Sequence, residues 1–549
     1  MAATAQTKQN RPKVKWTGLG LWNVFFIGEF LLAGFGYLSL NLLQNVLLLI
    51  FVLFPIGNRW LRWLRTLVAV AAASALVYSE SWLPGLESIR GNFHNLAAME
   101  SGYLLESAFN FLNFEMIGAG VALIVIYYAV RDYIRVTSIT VVWLVTLLCA
   151  PIWQPVWEHL KAPIPKTEVA AEAAKPQEEA KKSDLIAQSA PPTSKNLDEW
   201  LKQFHSTEKD RRAQWPEKLA KDDTPFDILL LNVCSLSTDD LKAVGLENHE
   251  VLQKFNIRFE NFNSATSYSG PAALRLLKSV CGQPSHEDLY EGRNPDCELM
   301  NRLARLGYNQ HVFMDHSGKY DNFYQSLRHL AGLSPQLGEM KYPKRYDSFD
   351  EEPIGDARAV FKDWESTVAA DGGGKSATFI NLIALHDGNR FAGKRRLAPF
   401  KPRAQAMLDD LGELINEIEK SGRKVMLIVV PEHGAAEKGD KVQVAHLRDI
   451  PSPSITHVPA LVKFIGVTPE GGPVKVDTKT SYLAISSLIG RVLMDNYFGA
   501  PHGEVPLADL VKDLPQTHSV SENANAKVIN YNGKDYVKMD DKEWREYAK

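Results

Sequence analysis

The chain has 549 residues, enough for three or four domains of ordinary size. Its 61 basic residues nearly cancel its 64 acidic residues, and the net charge of −3 offers no overall positive field that would attract a nucleic acid. The apolar fraction of 45% and the charged fraction of 23% exclude a mostly disordered chain. Four cysteines are too few for a scaffold held together by many disulfides.

The first 160 residues are far more apolar than the remainder and predict a membrane domain. A helix needs about 20 predominantly apolar residues to cross a bilayer. Five segments approach this requirement, at 18–40, 41–58, 63–82, 116–130 and 136–157. Five such segments in succession, with Trp and Tyr near their ends, favour a five-helix transmembrane domain over the buried helices of a soluble protein.

Basic residues predict the orientation of these spans. They precede the first span, surround the turn into the third and lie between the fourth and fifth, at Lys8, Arg11, Lys13, Lys15, Arg59, Arg62, Arg65, Arg131 and Arg135. Because short basic loops remain in the cytoplasm, the N-terminus is expected there, and five crossings place the rest of the chain outside. The first span lacks a persuasive cleavage site and is interpreted as an anchor.

The remaining chain predicts a linker followed by one large catalytic domain. Residues 161–200 are rich in Ala, Pro, Glu, Lys and Ser, a composition that cannot bury a core. Within 201–549, apolar runs predict buried strands at 226–233, 377–385, 424–430 and 458–464. Helical patterns lie between them, and one long helix is expected to end at Gly422. The predicted fold class is therefore α/β, an α/β/α sandwich with a mainly parallel sheet.

Polar residues follow three of these predicted strands. Cys234 follows the first, His386 and Asp387 follow the second, and Glu432 and His433 follow the third. Ligands of such sheets bind beyond the carboxyl ends of the strands. Because thiolate, imidazole and carboxylate are all zinc ligands, the pattern predicts a catalytic metal site, although each group alone could be an ordinary loop residue.

The four cysteines fall into three environments. Cys281 and Cys297 lie sixteen residues apart in a loop-rich stretch and form the natural disulfide pair of an oxidising compartment. Cys149 falls in the fifth span. Cys234 remains a free thiol, which metal coordination would explain and which could otherwise be a small buried apolar side chain.

A loop rich in Asn, Ser and Thr leads into a predicted helix and holds a candidate nucleophile. Ser269 precedes Gly270 and Pro271, so it is either a capping residue or a nucleophile at the positive end of a helix. Ser267 and Thr266 remain rival hydroxyls. Sulfatase chemistry is disfavoured, because the position that would need arginine holds alanine.

Several motifs together resemble one family. They are NVCSLS (232–237), NFNSATSYSGPAALRLL (261–277), LHDGN (385–389), VVPEHG (429–434) and LRDIPSPSIT (447–456). With the five spans and the linker, they make the chain similar to the cellulose phosphoethanolamine transferases, the family of bacterial cellulose synthesis protein G. The likeness covers essentially the whole chain and is loosest in the linker and at the extreme termini.

The resemblance implies an alkaline-phosphatase-like domain in the periplasm, tethered to the bacterial inner membrane and holding zinc. The implied reaction moves phosphoethanolamine from phosphatidylethanolamine to glucose C6 hydroxyls of nascent cellulose, beside the cellulose synthase membrane complex. Ser269 would be the nucleophile at a zinc ion held also by Cys234, Glu432 and His433. Tyr268, His386 and Arg448 would line the phosphate or acceptor pocket, His386 would be the general acid or base, and Cys281 and Cys297 would be paired.

Other functions remain open at this point. The related lipid A transferases use threonine as nucleophile and acidic residues at the positions of Cys234 and Glu432, which disfavours a lipid A acceptor. A second interpretation is a phosphoethanolamine or phosphoglycerol transferase that acts on another envelope glycan. A third is an assembly factor of the cellulose synthase that has no catalytic activity. His457 is interpreted as an ordinary loop histidine.

Overall fold

The computed structural model describes residues 18–35, 37–38, 40–81, 114–161, 186–338, 340–372, 374–499, 505–540 and 542–547. The chain divides into two compact units, one with the apolar N-terminal helices and one with the α/β domain. The basic segment before the first span, the loop at 82–113 and most of the predicted linker, 162–185, lie outside the described residues.

Within the described residues, the N-terminal unit has five helices where the sequence predicts five spans. They are α1 (Trp22–Gly34), α2 (Leu42–Leu53), α3 (Arg59–Glu80), α4 (Phe114–Val130) and α5 (Val136–Lys161). Within the described residues, only α3 is both long and apolar enough to cross a bilayer. The other four helices contribute shorter apolar segments, which for α4 and α5 are Met116–Val130 and Val136–Cys149. Helix α2 stops ahead of Pro55, which removes an amide donor and disfavours helical geometry in the residue before it. The five-span topology therefore stays a prediction.

Many large apolar side chains of these helices are exposed. Leu43, Ile50, Trp60, Val125 and Val142 are examples, and each is at least half exposed. A continuous apolar exterior is unfavourable in water and typical of helices that contact lipid.

A seven-stranded sheet forms the centre of the α/β unit. Its strands lie in the order β10-β2-β9-β8-β1-β6-β3. In chain order these are β1 (Asp227–Val233), β2 (Ile257–Phe259), β3 (Asn309–Met314), β6 (Ser376–Leu382), β8 (Val425–Pro431), β9 (Ala460–Ile465) and β10 (Val474–Val476). Strands β8, β1, β6 and β3 are mutually parallel, whereas β9 is antiparallel to both of its neighbours. A mainly parallel sheet is confirmed.

Two hydrophobic cores cover the two faces of this sheet. Alternate residues of β1 contribute to opposite cores, with Ile228 and Leu230 on one face and Leu229 and Leu231 on the other. The helices of the unit are α6 (Ser194–Asp210), α7 (Thr238–Val244), α8 (Ser269–Leu277), α9 (His286–Tyr290), α10 (Leu299–Arg305), α11 (Phe323–Ala331), α12 (Ala357–Ala370), α13 (Phe400–Ser421), α14 (Pro453–Thr456), α15 (Tyr482–Met494) and α16 (Leu507–Val511). Helices α8 and α15 pack on the first face, and α12 and α13 pack on the second. The domain is therefore the α/β/α sandwich that the sequence predicts.

Local sequence determines where several elements end. Gly422 adopts a φ of 70° after α13, the left-handed conformation that glycine favours, and ends this helix as predicted. The predicted second strand, 377–385, instead ends at Leu382. There the Ile383 amide donates to the carboxylate of Asp315, which turns the chain out of the sheet.

Two small sheets were not foreseen from the sequence. One is three-stranded, with β4 (Lys344–Asp347), β5 (Pro353–Gly355) and β7 (Arg390–Phe391). The other is antiparallel, with β11 (Val520–Glu522), β12 (Ala526–Tyr531), β13 (Lys534–Met539) and β14 (Arg545–Glu546). Leu197, Trp200 and Phe204 of α6 pack on this second sheet. Helix α6 thus begins inside the range predicted as linker, because its apolar face has a surface to cover.

Candidate active site

The carboxyl ends of neighbouring strands bring three candidate metal ligands together. Strand β1 lies between β8 and β6, so Cys234 after β1 faces Glu432 and His433 after β8. The ligand atoms of these three residues lie within 4.8 Å of one another, and all three side chains are buried. Thiol, carboxylate and imidazole thus converge from the ends of two strands, β1 and β8.

Cys234 occupies the buried centre of this group. Its sulfur lies 3.8 Å from His433 Nε2, 3.4 Å from Ser269 Oγ and 3.2 Å from Ser235 Oγ. Burial, together with the nearby carboxylate of Glu432, raises the pKa of the Cys234 thiol to about 12. A bound cation reverses this effect, because a coordinated thiol loses its proton.

Glu432 presents one oxygen that is held in place and one that is free. Oε1 accepts a hydrogen bond of 2.6 Å from Asn381 Nδ2, and the same amide donates to Asn232 Oδ1 at 2.9 Å. Oε2 is buried and has no hydrogen-bond partner among the described residues. Burial raises the pKa of Glu432. A buried carboxylate oxygen without a donor is costly unless it has a cation, which is what a metal ligand requires.

His433 is oriented by its second nitrogen. Nδ1 lies 2.9 Å from the carbonyl oxygen of Gly434 and 3.1 Å from Arg448 Nη1. In the tautomer whose proton is on Nδ1 and is donated to this carbonyl, the Nε2 lone pair faces Cys234 and Ser269. Burial and then the guanidinium of Arg448 lower the pKa of His433, which keeps the imidazole neutral. A neutral imidazole is the form that binds a metal.

These three side chains fit a zinc ion. Sulfur, nitrogen and oxygen donors converge from loops of one sheet edge, and the free Oε2 of Glu432 is the donor that a cation would satisfy. Three protein ligands leave a fourth position open, as catalytic zinc sites do.

Ser269 lies beside this cluster as the first residue of α8. The residue before the helix is Tyr268, whose side chain makes no capping bond. Ser269 Oγ instead lies 3.4 Å from Cys234 Sγ and 3.3 Å from His433 Nε2. The position next to the N-terminal cap is as predicted, but the hydroxyl faces the candidate metal ligands and does not cap the helix.

The rival hydroxyls are occupied elsewhere. Thr266 Oγ1 donates to Asn523 Oδ1 at 2.9 Å. Ser267 Oγ donates to the carbonyl of Arg448 and accepts from Asn523 Nδ2 at 2.7 Å. Both are fully buried and hold the loop in place, which leaves Ser269 as the hydroxyl that is directed at the cluster.

The other predicted site residues surround Ser269 in different roles. Arg448 Nη1 donates to Ser235 Oγ at 3.1 Å and lies equally close to the His433 ring. Tyr268 donates its hydroxyl to Asp449 Oδ1 at 2.9 Å, and burial raises the pKa of Tyr268.

His386 does not join the metal ligands that the strand-end pattern grouped it with. Its Nδ1 lies 2.6 Å from the carbonyl oxygen of Asp387, and its ring stacks on Phe349 with the centroids 5.0 Å apart. Burial, with Arg448, lowers the pKa of His386 to about 4. His386 is not among the residues whose ligand atoms converge, and the imidazole of the cluster is that of His433.

A cavity of about 630 Å³ opens over the nucleophile candidate. Ser269, Asn381 and His386 lie on its lining, together with loops that follow β3 and β4. The site therefore has room for a sizeable substrate beside Ser269 Oγ.

Two family models match this chain. The model of the cellulose biosynthesis protein BcsG C-terminal domain matches residues 181–544, and that of the BcsG N-terminal domain matches residues 22–149. Cellulose biosynthesis protein BcsG of Salmonella typhimurium is 43% identical over 542 residues, and that of Escherichia coli is 41% identical over 542 residues. Each alignment covers 97% of this chain and 97% of the relative. The chain belongs to the BcsG family.

Solved structures with a similar arrangement are more distant. An alkaline phosphatase superfamily protein of Vibrio parahaemolyticus has a TM-score of 0.42 at 13% identity and covers 61% of this chain and 81% of its own. The zinc-bound periplasmic domain of EptC from Escherichia coli has a TM-score of 0.37 at 15% identity, with coverages of 57% and 93%. The lipoteichoic acid synthase LtaP of Listeria monocytogenes has a TM-score of 0.40 at 12% identity, with coverages of 65% and 93%.

Several residues of this BcsG-family site were missed from the sequence. Asn232 and Asn381 are buried polar residues inside apolar strands and orient Glu432. An asparagine inside a buried strand needs partners, and this signal was available in the sequence. Ser235 contacts both Cys234 and Arg448. Asn523, directly after β11, contacts Ser267 from about 250 residues away in the chain, so no local sequence pattern predicts this contact.

Disulfide formation follows the predicted pairing. Cys281 and Cys297 are bonded, and Cys149 and Cys234 are free thiols.

Proposed function

We propose that this BcsG-family protein transfers phosphoethanolamine from phosphatidylethanolamine to glucose C6 hydroxyls of nascent cellulose. One observation supports this most directly. Ser269 Oγ lies at the first turn of α8, 3.4 Å from Cys234 Sγ and 3.3 Å from His433 Nε2. A serine hydroxyl at a helix N-terminus and beside a metal-ligand set is an arrangement suited to phosphoryl transfer.

Cys234, Glu432 and His433 would hold one zinc ion. When bound, the ion supplies a Lewis acid beside the Ser269 hydroxyl and lowers the free energy of developing negative charge. Arg448, which contacts Ser235 and the His433 ring, adds a second positive charge beside the ligand cluster, and its guanidinium can donate to phosphoryl oxygens. Ser269 also begins α8, where the positive end of the helix dipole favours negative charge.

The reaction proceeds in two displacements at phosphorus. Ser269 Oγ attacks the donor phosphodiester, so that an Oγ–P bond forms while the P–O bond to diacylglycerol breaks. The serine proton is transferred to the departing glycerol oxygen, and His386 relays it because burial keeps its imidazole neutral. In the second displacement a glucose C6 oxygen bonds to phosphorus, the Oγ–P bond breaks and the C6 proton returns to Ser269.

The N-terminal unit fits a lipid donor. Its apolar helices and exposed apolar side chains are suited to a bilayer, where phosphatidylethanolamine is present and where diacylglycerol stays after release. We infer a multi-pass protein of the bacterial inner membrane, with the catalytic domain in the periplasm beside the cellulose synthase complex. Membership of a family of cellulose biosynthesis proteins supports a place beside the cellulose synthase.

The proposal is tested with the full-length protein in vesicles of phosphatidylethanolamine, by measuring diacylglycerol release and labelled headgroup on added cellulose. Ser269→Ala should abolish both. Ser366→Ala is the matched control, because Ser366 is exposed and bonds only within its own helix, to the Lys362 carbonyl. Wild-type turnover by Ser269→Ala would refute the mechanism. Turnover of phosphatidylglycerol would show that the proposed donor is wrong. Transfer to lipid A but not to cellulose would show that the proposed acceptor is wrong.

A further inference from the structure

The cavity over Ser269 has a negatively charged wall. Asp321, Asp350 and Glu352 line it from the loops around β4 and after β3, and Asp449 adds a fourth carboxylate beside Tyr268. The described residues that line the cavity include no lysine and no arginine. Arg448 lies instead beside His433, at the candidate metal ligands. Positive charge is therefore placed at the ligand cluster, and negative charge lines the cavity.

Neutral donors hold two of these carboxylates. Ser317 Oγ donates to Glu352, and Ser348 Oγ donates to Asp350. These hydrogen bonds fix the carboxylates in position without neutralising them. Each carboxylate thus keeps its negative charge available to a cation inside the cavity.

The rings of Tyr320 and Phe349 also line the cavity. Phe349 stacks on His386 and contacts the ring of Tyr320 edge-on, with centroids 4.8 Å apart and planes at 88°. Tyr320 is 43% exposed, whereas Phe349 is 7% exposed, so the rings extend from an open part of the cavity towards the buried imidazole. The faces of aromatic rings attract ammonium groups.

An independent feature indicates a hydrogen-bond donor inside the cavity. Asn381 is fully buried and lines the cavity, and its Oδ1 has no hydrogen-bond partner among the described residues. Its amide nitrogen is already committed to Glu432 and Asn232. An acceptor oxygen left free in a buried position requires a donor, which a bound ligand can provide.

We propose that Asp350 and Glu352, with the rings of Tyr320 and Phe349, bind the ammonium group of the donor headgroup. This inference rests on the proposed function, because it concerns the donor of the same reaction. The phosphate end of the headgroup faces Arg448 and the candidate metal ligands, and its ammonium end faces the carboxylates. A glycerol headgroup has no positive charge and gains no ion pair from this wall, so the wall selects ethanolamine.

Two chromogenic esters test the inference. One is 4-nitrophenyl phosphoethanolamine, and the other is 4-nitrophenyl 2-hydroxyethyl phosphate, the same phosphodiester with a hydroxyl in place of the ammonium group. Hydrolysis of both is measured with the full-length wild type and with Glu352→Gln and Asp350→Asn, which keep an oxygen to accept the serine hydrogen bonds. Glu351→Gln is the matched control, since Glu351 is exposed and does not line the cavity.

The wild type and the control should prefer the ammonium ester by about tenfold or more in kcat/KM, because only this ester can make a charge-assisted contact with the carboxylates. Glu352→Gln and Asp350→Asn should lower this preference mainly through KM and leave the hydroxyl ester unchanged. Tyr320→Phe should retain the preference, and Tyr320→Ala should reduce it.

Equal hydrolysis of both esters by the wild type would overturn the inference while leaving the proposed transfer chemistry intact. Hydrolysis of neither ester would refute the proposed function itself. If Glu352→Gln left both esters unchanged and impaired only transfer to a glucan, the carboxylates would belong to the acceptor and the inference would be overturned. If Glu352→Gln lowered the hydrolysis of both esters equally, the inference would also be overturned.

Discussion

The Ser269 hydroxyl lies 3.3 Å from Nε2 of His433, although 164 residues separate them along the chain. The serine begins a helix on one face of the sheet, and the histidine follows the end of β8. The fold thus places a hydroxyl against a buried imidazole, thiol and carboxylate. If this contact is a catalytic centre, substitutions around it should change metal binding, and activity should depend on Ser269.

Zinc content is the first prediction. Freshly purified full-length protein should contain about one zinc ion per chain, because three protein ligands converge at one point. Glu432→Gln should lower the metal content at least tenfold in elemental analysis, since an amide oxygen is a poorer ligand than a carboxylate. Glu470→Gln, at an exposed position, should retain it. If the purified protein contained no zinc and still turned over the donor in the presence of a chelator, the cluster would not be a metal site.

Asn381 should act as a positioning residue for Glu432. Asn381→Leu removes the donor to Glu432 Oε1 and should weaken zinc binding by about 10–100-fold, the usual effect of losing a partner of a ligand. Competition with a chromogenic chelator measures this affinity without reference to activity. The exposed Asn416→Leu serves as control. Unchanged affinity in Asn381→Leu would mean that this hydrogen bond does not orient the carboxylate.

The Cys281–Cys297 disulfide should stabilise the α/β unit. It closes a loop with a sequence separation of 16, and restricting such a loop in the unfolded chain contributes about 3 kcal/mol. The double variant Cys281→Ser/Cys297→Ser should lose stability of this order in denaturant unfolding. Cys149→Ser, which removes a free thiol, should not. Equal stability of wild type and double variant would contradict a stabilising role.

His518 should make the stability of the C-terminal sheet depend on pH. Its ring is buried against Trp200, with centroids 4.9 Å apart, and burial lowers the pKa of His518 to about 4. In the unfolded chain this histidine binds its proton near pH 6.5. The contribution of His518 to the free energy of unfolding is therefore fully present above that pH and is lost as the pH falls towards 4. His518→Gln should show a smaller fall over this window when the free energy of unfolding is measured. Parallel pH profiles for the two proteins would exclude His518 as the cause.

Much of the site follows from sequence because the sheet is parallel. Apolar runs identify β1 and β8, and parallel neighbours bring the residues after each strand to one edge. Cys234, Glu432 and His433 could therefore be grouped without knowledge of the fold. Gly422 and the Cys281–Cys297 pairing were equally accessible, because turn chemistry and spacing are local.

Other features depend on contacts between distant segments. The grouping of His386 with the ligands was wrong, because Asp315 binds the Ile383 amide and ends β6 early. Strand β3 was missed because only its last three residues are buried, so its first half shows no apolar pattern. The wall formed by Asp350 and Glu352 depends on how the loop after β4 folds over the sheet, which no spacing in the sequence reveals.

Covalent trapping of the headgroup tests the central claim most directly. The full-length protein is incubated with phosphatidylethanolamine vesicles without acceptor, quenched in acid and digested, and the peptide that spans residues 261–277 is sequenced by mass spectrometry. The account predicts a phosphoethanolamine adduct on Ser269 that disappears when a glucan acceptor is added. An adduct on Ser267 or Thr266, or turnover of the donor with no adduct on any residue, would contradict it.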